Sequence, residues 1–350
     1  MKKWFLIFCL TGGLYLQGIS QTQPVKRTFN TPKAGQLQSE MTAEEAKSIT
    51  HLTLTGKINA KDFRLMRDSL QNLEVLDLTN ATITAMTGKG GTTDESFIIY
   101  VSKCIPEYAF CKSSNGTLKG KNTLREVWLP TNTFNIEKYA FHNCRNLNLL
   151  VIQKKKAPNI LTEALNDTLT AVFVPLGSKD EYRNHKGWET FNILEGIPIR
   201  ANVHISIPGT LGDELLKTGN QPSDINYLTV SGTLNEADFK LIRDFMPQLV
   251  TVDLSATNAT SIPEYTFSQK RYLMEITLPS NLTTIGPRAF SGCTRLGTTL
   301  TLPSQVNTIG EGAFLDCDRL QKVIVTGKNL TVIGRDLFRN DQNRLVYPQK

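Results

Sequence analysis

The sequence predicts an α/β-type repeat solenoid of two tandem modules, in which short parallel strands alternate with short helices and turns. Three observations predict it: a six-residue motif that recurs at a fixed step, an alternating apolar element between its copies, and the duplication of a longer segment. A single repeat is too short to bury a core of its own, so neighbouring repeats must stack and share one.

The six-residue motif is clearest in the last third of the chain. Its copies begin at Ile285, Ile309 and Ile333 and therefore recur every 24 residues. Related copies occupy residues 105–110, 136–141 and 262–267. Between copies lies the pattern Leu-x-x-hydrophobic-x-hydrophobic, often followed by proline. This alternation predicts a short strand whose apolar side chains point inward, and the proline ends the strand because it has no N–H to donate.

The longer duplication divides the chain into two modules. Residues 49–79 match residues 225–255 at a constant offset of 176, with thirteen identities in 31 positions and no gap. Each copy predicts a strand, a helix and a second strand, with Asn59 and Asp62 capping the first helix. The predicted organisation is module one over 34–196, including a C-terminal cap, and module two over 197–350.

The N-terminus has the layout of a cleaved secretory signal. Two lysines precede a mostly apolar stretch, and small residues stand before Gln21. We expect a signal peptide over 1–20 with cleavage near Ser20/Gln21, followed by a polar, flexible linker over 21–33. No other apolar run is long enough to span a bilayer. The mature chain is therefore expected to lack a transmembrane segment and to be secreted, periplasmic or displayed at the cell surface.

Charge and motifs exclude several classes of function. The chain has 39 basic and 32 acidic residues, and loss of Lys2 and Lys3 with the leader lowers the net charge from +7 to 7 − 2 = +5. These charges are spread along the chain and predict no nucleic-acid partner. The four histidines stand far apart, and no nucleophile elbow, zinc-protease or phosphate-loop motif is present. We expect no catalytic residue, no cofactor and no metal ion.

Residues 285–303 carry the pattern Ile-x-x-x-Ala-Phe-x-x-Cys-x-x-Leu, ending in Leu-Pro. This pattern resembles the BspA-like leucine-rich repeats of surface and secreted proteins of Bacteroides-type bacteria. The spacing from Leu296 to Leu300 is one residue longer than in the pattern and predicts a bulge. Residues 175–191 resemble the segment that closes such arrays. Two tripeptides resemble the O-glycosylation acceptor of these bacteria: Asp68-Ser69-Leu70 and Asp167-Thr168-Leu169.

The cysteines of the mature chain are interpreted mainly as core residues. Cys144, Cys293 and Cys317 occupy one position of the repeat, which favours small apolar fillers over a metal site. We expect Cys293 and Cys317 to be reduced and buried. Cys104 and Cys111 lie seven residues apart, and the sequence leaves open whether they form a disulfide.

A candidate partner-binding surface follows from the strand pattern. Its six residues come from four strand positions and one long loop: Trp128, Leu149, Val151, Phe97, Tyr100 and Glu126. The strand residues alternate with inward-pointing ones and should face outward. Module one also has two insertions, 84–104 and 112–123, and long loops of solenoids commonly carry function. We expect the first insertion to flank Trp128, where its apolar run serves a partner or merely covers the ring.

The resemblance implies attachment or interaction and no common catalytic activity. The expected function is therefore an exported, non-enzymatic protein-binding or adhesion-type protein, whose partner is a host or bacterial surface protein. Two alternatives stay open: a structural or assembly component of the bacterial envelope, and a carbohydrate-binding surface protein in which Trp128 stacks on a sugar.

Overall fold

A computed structural model describes residues 24–95, 97–165, 170–339 and 344–346 of the chain. The predicted signal peptide with its cleavage site lies outside the described residues, and so does the tripeptide at 167–169. None of the helices in the described part of the chain has the length and apolar character that crossing a bilayer needs.

Module one contains fifteen described strands, three α-helices and a 3-10 helix over Leu37–Glu40. In chain order they are β1 (Lys26–Thr31), α1 (Ala43–Ser48), β2 (His51–Ile58), α2 (Ala60–Asp68), β3 (Val75–Asp77), β4 (Ala81–Ile83), β5 (Met86–Thr87), β6 (Ile99–Tyr100), β7 (Cys104–Ile105), β8 (Cys111–Ser114), β9 (Thr117–Gly120), β10 (Glu126–Leu129), β11 (Asn135–Ile136), β12 (Leu149–Ile152), β13 (Asn159–Ile160), β14 (Ala171–Val174), α3 (Lys179–Arg183) and β15 (Asn192–Glu195).

Module two repeats the same plan with shorter connections and a 3-10 helix over Pro222–Asp224. Its described elements are β16 (Arg200–Ile205), α4 (Leu211–Lys217), β17 (Tyr227–Gly232), α5 (Glu236–Phe245), β18 (Thr251–Thr257), β19 (Ser261–Ile262), β20 (Glu275–Thr277), β21 (Thr284–Ile285), β22 (Thr299–Leu302), β23 (Thr308–Ile309), β24 (Lys322–Val325), β25 (Val332–Ile333) and β26 (Leu345–Val346).

The strands form stacked parallel ladders, which confirms the predicted solenoid. The main sheet of module one has the order β1-β2-β3-β10-β12-β14-β15, and a narrow second sheet has the order β7-β11-β13. Module two has a main sheet β16-β17-β18-β20, its continuation β22-β24-β26, and a second sheet β19-β21-β23-β25. A typical repeat thus gives one strand to each sheet, and the core lies between them. Whether each module folds on its own stays a prediction.

The prediction of a flexible linker over 21–33 is wrong for residues 26–31. Residues Lys26–Thr31 form β1, which pairs in parallel with β2 along its whole length. The outer face of β1 is exposed, while Phe29 packs against the core and Thr31 is fully buried. Its inward positions carry polar as well as apolar residues, so the sequence pattern looked like a tail. The corresponding strand β16 of module two has an ordinary apolar inner face.

The duplicated helices α2 and α5 are held by identical caps. Asn59 and Asp62 form the predicted capping box at the start of α2. The Asp62 carboxylate also accepts hydrogen bonds from the backbone N–H groups of Gly35 (2.7 Å) and Leu37 (3.0 Å), so it ties the preceding loop to the helix. The equivalent set in module two is Asp238 with Gly209, Leu211 and Asn235.

The recurring phenylalanines stack along the solenoid interior. Neighbouring ring centroids are 5.2 Å apart from Phe267 to Phe290, 5.6 Å from Phe290 to Phe314 and 5.8 Å from Phe314 to Phe338. All four rings are at most 2% exposed. The phenylalanine of each repeat therefore fills the space left by its neighbour, as the motif predicted.

The described cysteines are all free and buried. This confirms the prediction for Cys293 and Cys317, whose thiols donate to the backbone carbonyls of Phe267 (3.0 Å) and Phe290 (3.1 Å) in the preceding repeats. The alternative of a disulfide between Cys104 and Cys111 is not realised in the structure.

Candidate functional site

The first insertion of module one does not lie beside Trp128. Its hairpin, β5 and β6, packs on the outer side of helix α2, where Tyr100 is buried with Met86 and Ala60. The Arg64 guanidinium donates to the carbonyl of Gly91 at 3.1 Å and so holds the loop on the helix. Helix α2 and the outward face of the sheet are on opposite sides of the core. Both expectations for this loop, a flank or a cover for Trp128, are therefore wrong.

Three apolar side chains of this segment are exposed. Phe97 has 69% of its surface open to solvent, and Ile99 and Val101 are similarly exposed. These alternate residues lie on the helix side of module one. The structure thus separates Phe97 and Tyr100 from the other four residues of the predicted surface.

The strand residues of the predicted surface do face outward, but module two covers part of them. Leu149 and Val151 are each 1% exposed and pack in a cluster that includes Val250 and Met274 of module two. Leu149 and Val151 are therefore not accessible to an external partner, and the prediction that they form part of a binding surface is wrong. The physical reason is that the outward row is apolar over several adjacent strands, and such a face is stable only against another apolar surface.

The register of the main sheet shows where the outward face of module one changes from polar to apolar. One row of outward side chains crosses seven strands in the order Thr28, Thr53, Asp77, Trp128, Val151, Phe173 and Leu194. The row is polar over β1 to β3 and apolar from β10 onward. The strands β12 and β14 are buried on both faces. Their continuous apolar sequences are typical of strands that are buried on both faces. The prediction of an exposed surface did not take this signal into account.

Trp128 and Glu126 lie at the edge of the contact between modules. The indole N–H of half-buried Trp128 donates to Glu126, whose other carboxylate oxygen pairs with Arg200 of module two. The Arg200 guanidinium also lies 4.8 Å from the centre of the Tyr227 ring. Further along, Lys179 Nζ donates to the Tyr272 hydroxyl at 3.0 Å. The two modules thus meet through an apolar centre with a polar rim, as protein interfaces do.

Beside this contact the two modules enclose an open cleft of about 760 Å³. Module one supplies one wall, which includes Arg125, Arg145, Asn146 and Asn148. Module two supplies the other wall from the outward side chains of its strands, chiefly Glu275, Thr277, Thr299 and Thr301. We refer to this space as the intermodule cleft. Sequence reasoning missed it because residues 125–148 and 274–304 meet only when the modules dock.

The arginines of the intermodule cleft are available to a ligand. Arg125 and Arg145 are exposed, and neither guanidinium makes an ion pair with another described residue. The hydroxyls of Thr277, Thr299 and Thr301 likewise donate no hydrogen bond within the described part of the chain. The site is therefore a set of solvated donors, suited to recognition.

The floor of the intermodule cleft is a gap in the main sheet of module two. The Gly297 N–H still reaches the Met274 carbonyl at 2.9 Å, but beyond this bond β20 and β22 are not paired. The gap falls where the spacing from Leu296 to Leu300 is one residue too long. The predicted irregularity is therefore present, as a break in the ladder. It leaves Ile276 8% exposed, whereas the inward-pointing residues of neighbouring paired strands are fully buried.

The fold and the repeat define a class of protein, the leucine-rich-repeat solenoids. The family model for the BspA type Leucine rich repeat region matches six copies, within residues 103–175 and 246–347, and the chain belongs to this family. No curated protein matches the chain. No group of three or more His, Cys, Asp or Glu side chains in the described residues is arranged to hold a metal ion.

Two solved structures are similar to this chain at low sequence identity. One is a leucine-rich repeat protein from Bacteroides ovatus ATCC 8483, 15% identical, with 87% of this chain and 85% of that chain covered and a TM-score of 0.29. The other is a leucine rich cell surface protein from Faecalibacterium prausnitzii A2-165, 15% identical, with 73% and 74% covered and a TM-score of 0.16.

Proposed function

We propose that the protein is an exported, non-enzymatic binding protein that holds a protein partner in the intermodule cleft. The observation that carries this proposal is the cleft itself, an open space of about 760 Å³. Module one contributes two arginines and module two contributes threonine hydroxyls, and neither set is engaged by another side chain of the described residues. Leucine-rich repeats generally mediate protein interactions through the strand faces of the solenoid. BspA-like proteins are usually secreted or displayed at the cell surface, in agreement with the leader expected at 1–20.

This proposal moves the binding site from the surface predicted by the sequence to the intermodule cleft. Leu149 and Val151 serve the contact between modules, and Trp128 and Glu126 stabilise its edge. Their contribution to binding is then indirect, because they orient module two and so form the cleft. The docking contact is internal to the chain, and the cleft is the part of the strand faces that stays open to a partner.

The test compares partner capture by the wild-type protein with capture by a variant in which a large side chain fills the cleft. Thr301 is exposed on β22 and lines the cleft, so Thr301→Trp places a large side chain in the space without altering the core. Wild-type and variant proteins are immobilised and exposed to host extract and, separately, to bacterial envelope extract. We expect one dominant partner to be retained by the wild type and lost by Thr301→Trp.

The matched control is Thr53→Trp, the same change on the strand face of module one outside the cleft. It should retain the partner. The extract from which the partner is captured shows whether the partner is a host protein or a component of the bacterial envelope. If Thr301→Trp captures the partner as well as the wild type does, binding in the cleft is excluded. Surface protease accessibility on intact cells and N-terminal sequencing test the proposed export and leader cleavage.

A further inference from the structure

The gap between β20 and β22 gives the intermodule cleft an apolar slot. Paired strands lie about 4.8 Å apart, and these two stand further apart than hydrogen-bonded neighbours do. Ile276 and Leu278 are each 8% exposed and Leu300 is 5% exposed, while Val252 and Val323 on the flanking strands are fully buried. These three core side chains therefore line the slot, and each has a small exposed area. One aliphatic side chain entering it would remove that apolar surface from water.

The edges of the slot are polypeptide backbone. Among the described strands, β20 is paired only to β18 and β22 only to β24. Each therefore presents an edge toward the gap that no described strand occupies. Such edges are where an extended peptide adds backbone hydrogen bonds. The side chains of an extended peptide alternate in direction, so one residue can point into the slot while its two neighbours point to the opposite wall.

The wall opposite the slot carries positive charge. Arg125 and Arg145 belong to adjacent repeats of module one and have no acidic partner among the described residues. Glu275 is the acidic residue of the cleft lining and lies on the slot side, so the two signs of charge are on different walls. Guanidinium groups bind carboxylates strongly and in two-pronged geometry. A ligand with acidic groups facing module one is therefore favoured.

Aromatic side chains are absent from the described residues that line the cleft. Sugar rings are commonly held by stacking on such side chains, and Trp128, the platform that the sequence suggested, is engaged at the contact between modules. The aliphatic slot and the strand edges match a peptide better than they match an oligosaccharide.

We propose that the intermodule cleft recognises an extended peptide segment of the form acid–aliphatic–acid. The aliphatic side chain enters the slot between β20 and β22, and the two carboxylates pair with Arg125 and Arg145. This inference rests on the proposed function, because it names the chemistry of the partner at the same site.

The probe is a short fluorescent peptide with the core Glu-Leu-Glu, whose binding to the full chain is measured by fluorescence anisotropy. A peptide with Ser in place of Leu and one with Lys in place of both Glu residues are the comparisons. Both should bind at least about tenfold more weakly. The double variant Arg125→Gln/Arg145→Gln should lose about tenfold in affinity for the Glu-Leu-Glu peptide.

The control variant is Arg335→Gln, which removes an exposed arginine outside the cleft and should bind the peptide like the wild type. Thr301→Trp should abolish binding. Thermal melting confirms that each variant is folded. An acidic oligosaccharide that binds in a Thr301-dependent manner while the peptide does not would overturn the inference in favour of a glycan.

The two proposals fail in different ways. If Thr301→Trp loses the natural partner but no Glu-Leu-Glu peptide binds to the wild type, the cleft is the site and only its ligand chemistry is wrong. If Ser replaces Leu without loss of affinity, the slot has no role. If the natural partner binds to Thr301→Trp unchanged, the proposed function itself is wrong.

Discussion

The helices α2 and α5 derive from the same duplicated segment but serve different surroundings. Both begin with the same capping box, and both carry an Arg-Asp pair near their ends. In module one, Arg67 is buried and donates to the backbone carbonyls of Thr92 (2.7 Å) and Tyr108 (2.8 Å). In module two the equivalent Arg243 is half-exposed and pairs with Asp244.

The difference arises from the insertion at 84–104, which folds over α2 and has no counterpart over α5. An arginine that is a solvated surface residue in one module thus becomes the anchor of a loop in the other. The comparison shows that the shared local sequence specifies the helix and its cap, whereas the burial of a helix residue depends on the segment that folds over it.

The largest effect is expected for the phenylalanine column. Phe290→Ala should lower the free energy of unfolding by about 3–5 kcal/mol, because the ring is fully buried and stacks on a neighbour at each face. Phe338 stacks on one described ring only, so Phe338→Ala should cost less. Chemical denaturation of both variants gives the two values. A loss below about 1 kcal/mol for Phe290→Ala would contradict the stacked core.

The second largest difference is expected between the equivalent arginines of the two modules, Arg67 and Arg243, in their contribution to stability. Arg67→Ala should cost about 2–4 kcal/mol, because it leaves several buried carbonyl groups without a donor. Arg243→Ala should cost less than about 1 kcal/mol, since its ion pair with Asp244 is exposed to solvent. Urea unfolding followed by circular dichroism measures both. Equal costs would mean that the insertion does not depend on Arg67.

The contact between modules can be opened by a buried charge. Val151→Asp puts a carboxylate into the apolar cluster, and we expect a cost of about 2 kcal/mol as the modules separate to hydrate it. Small-angle scattering should show an increased radius of gyration. Thr53→Asp, in the same row of the sheet but outside the cluster, is the control and should leave the radius unchanged. An unaltered radius for Val151→Asp would argue against separable docking.

The smallest effect concerns two buried lysines at the ends of the duplicated helices. Lys121 donates to the Leu70 carbonyl after α2, and Lys270 donates to the Arg243 carbonyl near the end of α5. Burial lowers the pKa of each from 10.5 to about 8. Between pH 8 and 10.5 the unfolded chain therefore binds more protons than the folded one, and the contribution of each lysine to stability rises with pH.

Lys270→Gln removes this titration from module two. The stability of the wild type relative to this variant should increase from pH 8 toward pH 10 and be constant below pH 7, as measured by urea unfolding at each pH. Lys121→Gln should behave alike in module one. A difference that does not change with pH would show that the lysines keep an ordinary pKa in the folded protein.

Much of the fold could be predicted from repeats and alternation. The motif with its phenylalanine, the Leu-x-x-hydrophobic element and the duplicated helix with Asn59 and Asp62 are all local patterns, and they specify strand, turn and cap through contacts within one or two repeats. Strand β1 was missed because its inner face is partly polar. It is held by pairing with β2, which has no sequence signature in β1 itself.

The candidate site depended on information that no single segment contains. The outward direction of Trp128, Leu149 and Val151 followed from alternation, but their burial follows from the docking of module two. The position of Phe97 followed from no local rule, since a loop of that length packs wherever donors such as Arg64 meet its carbonyls.

By itself the sequence determined the solenoid, its repeat, its family and its two copies of one opening unit, because these depend on short-range patterning of apolar side chains. Only the tertiary structure decided which strand faces remain open. The apolar row of module one closes on module two since exposed apolar surface is costly in water, and the polar remainder, with Arg125 and Arg145 opposite the gap between β20 and β22, is left as the intermodule cleft.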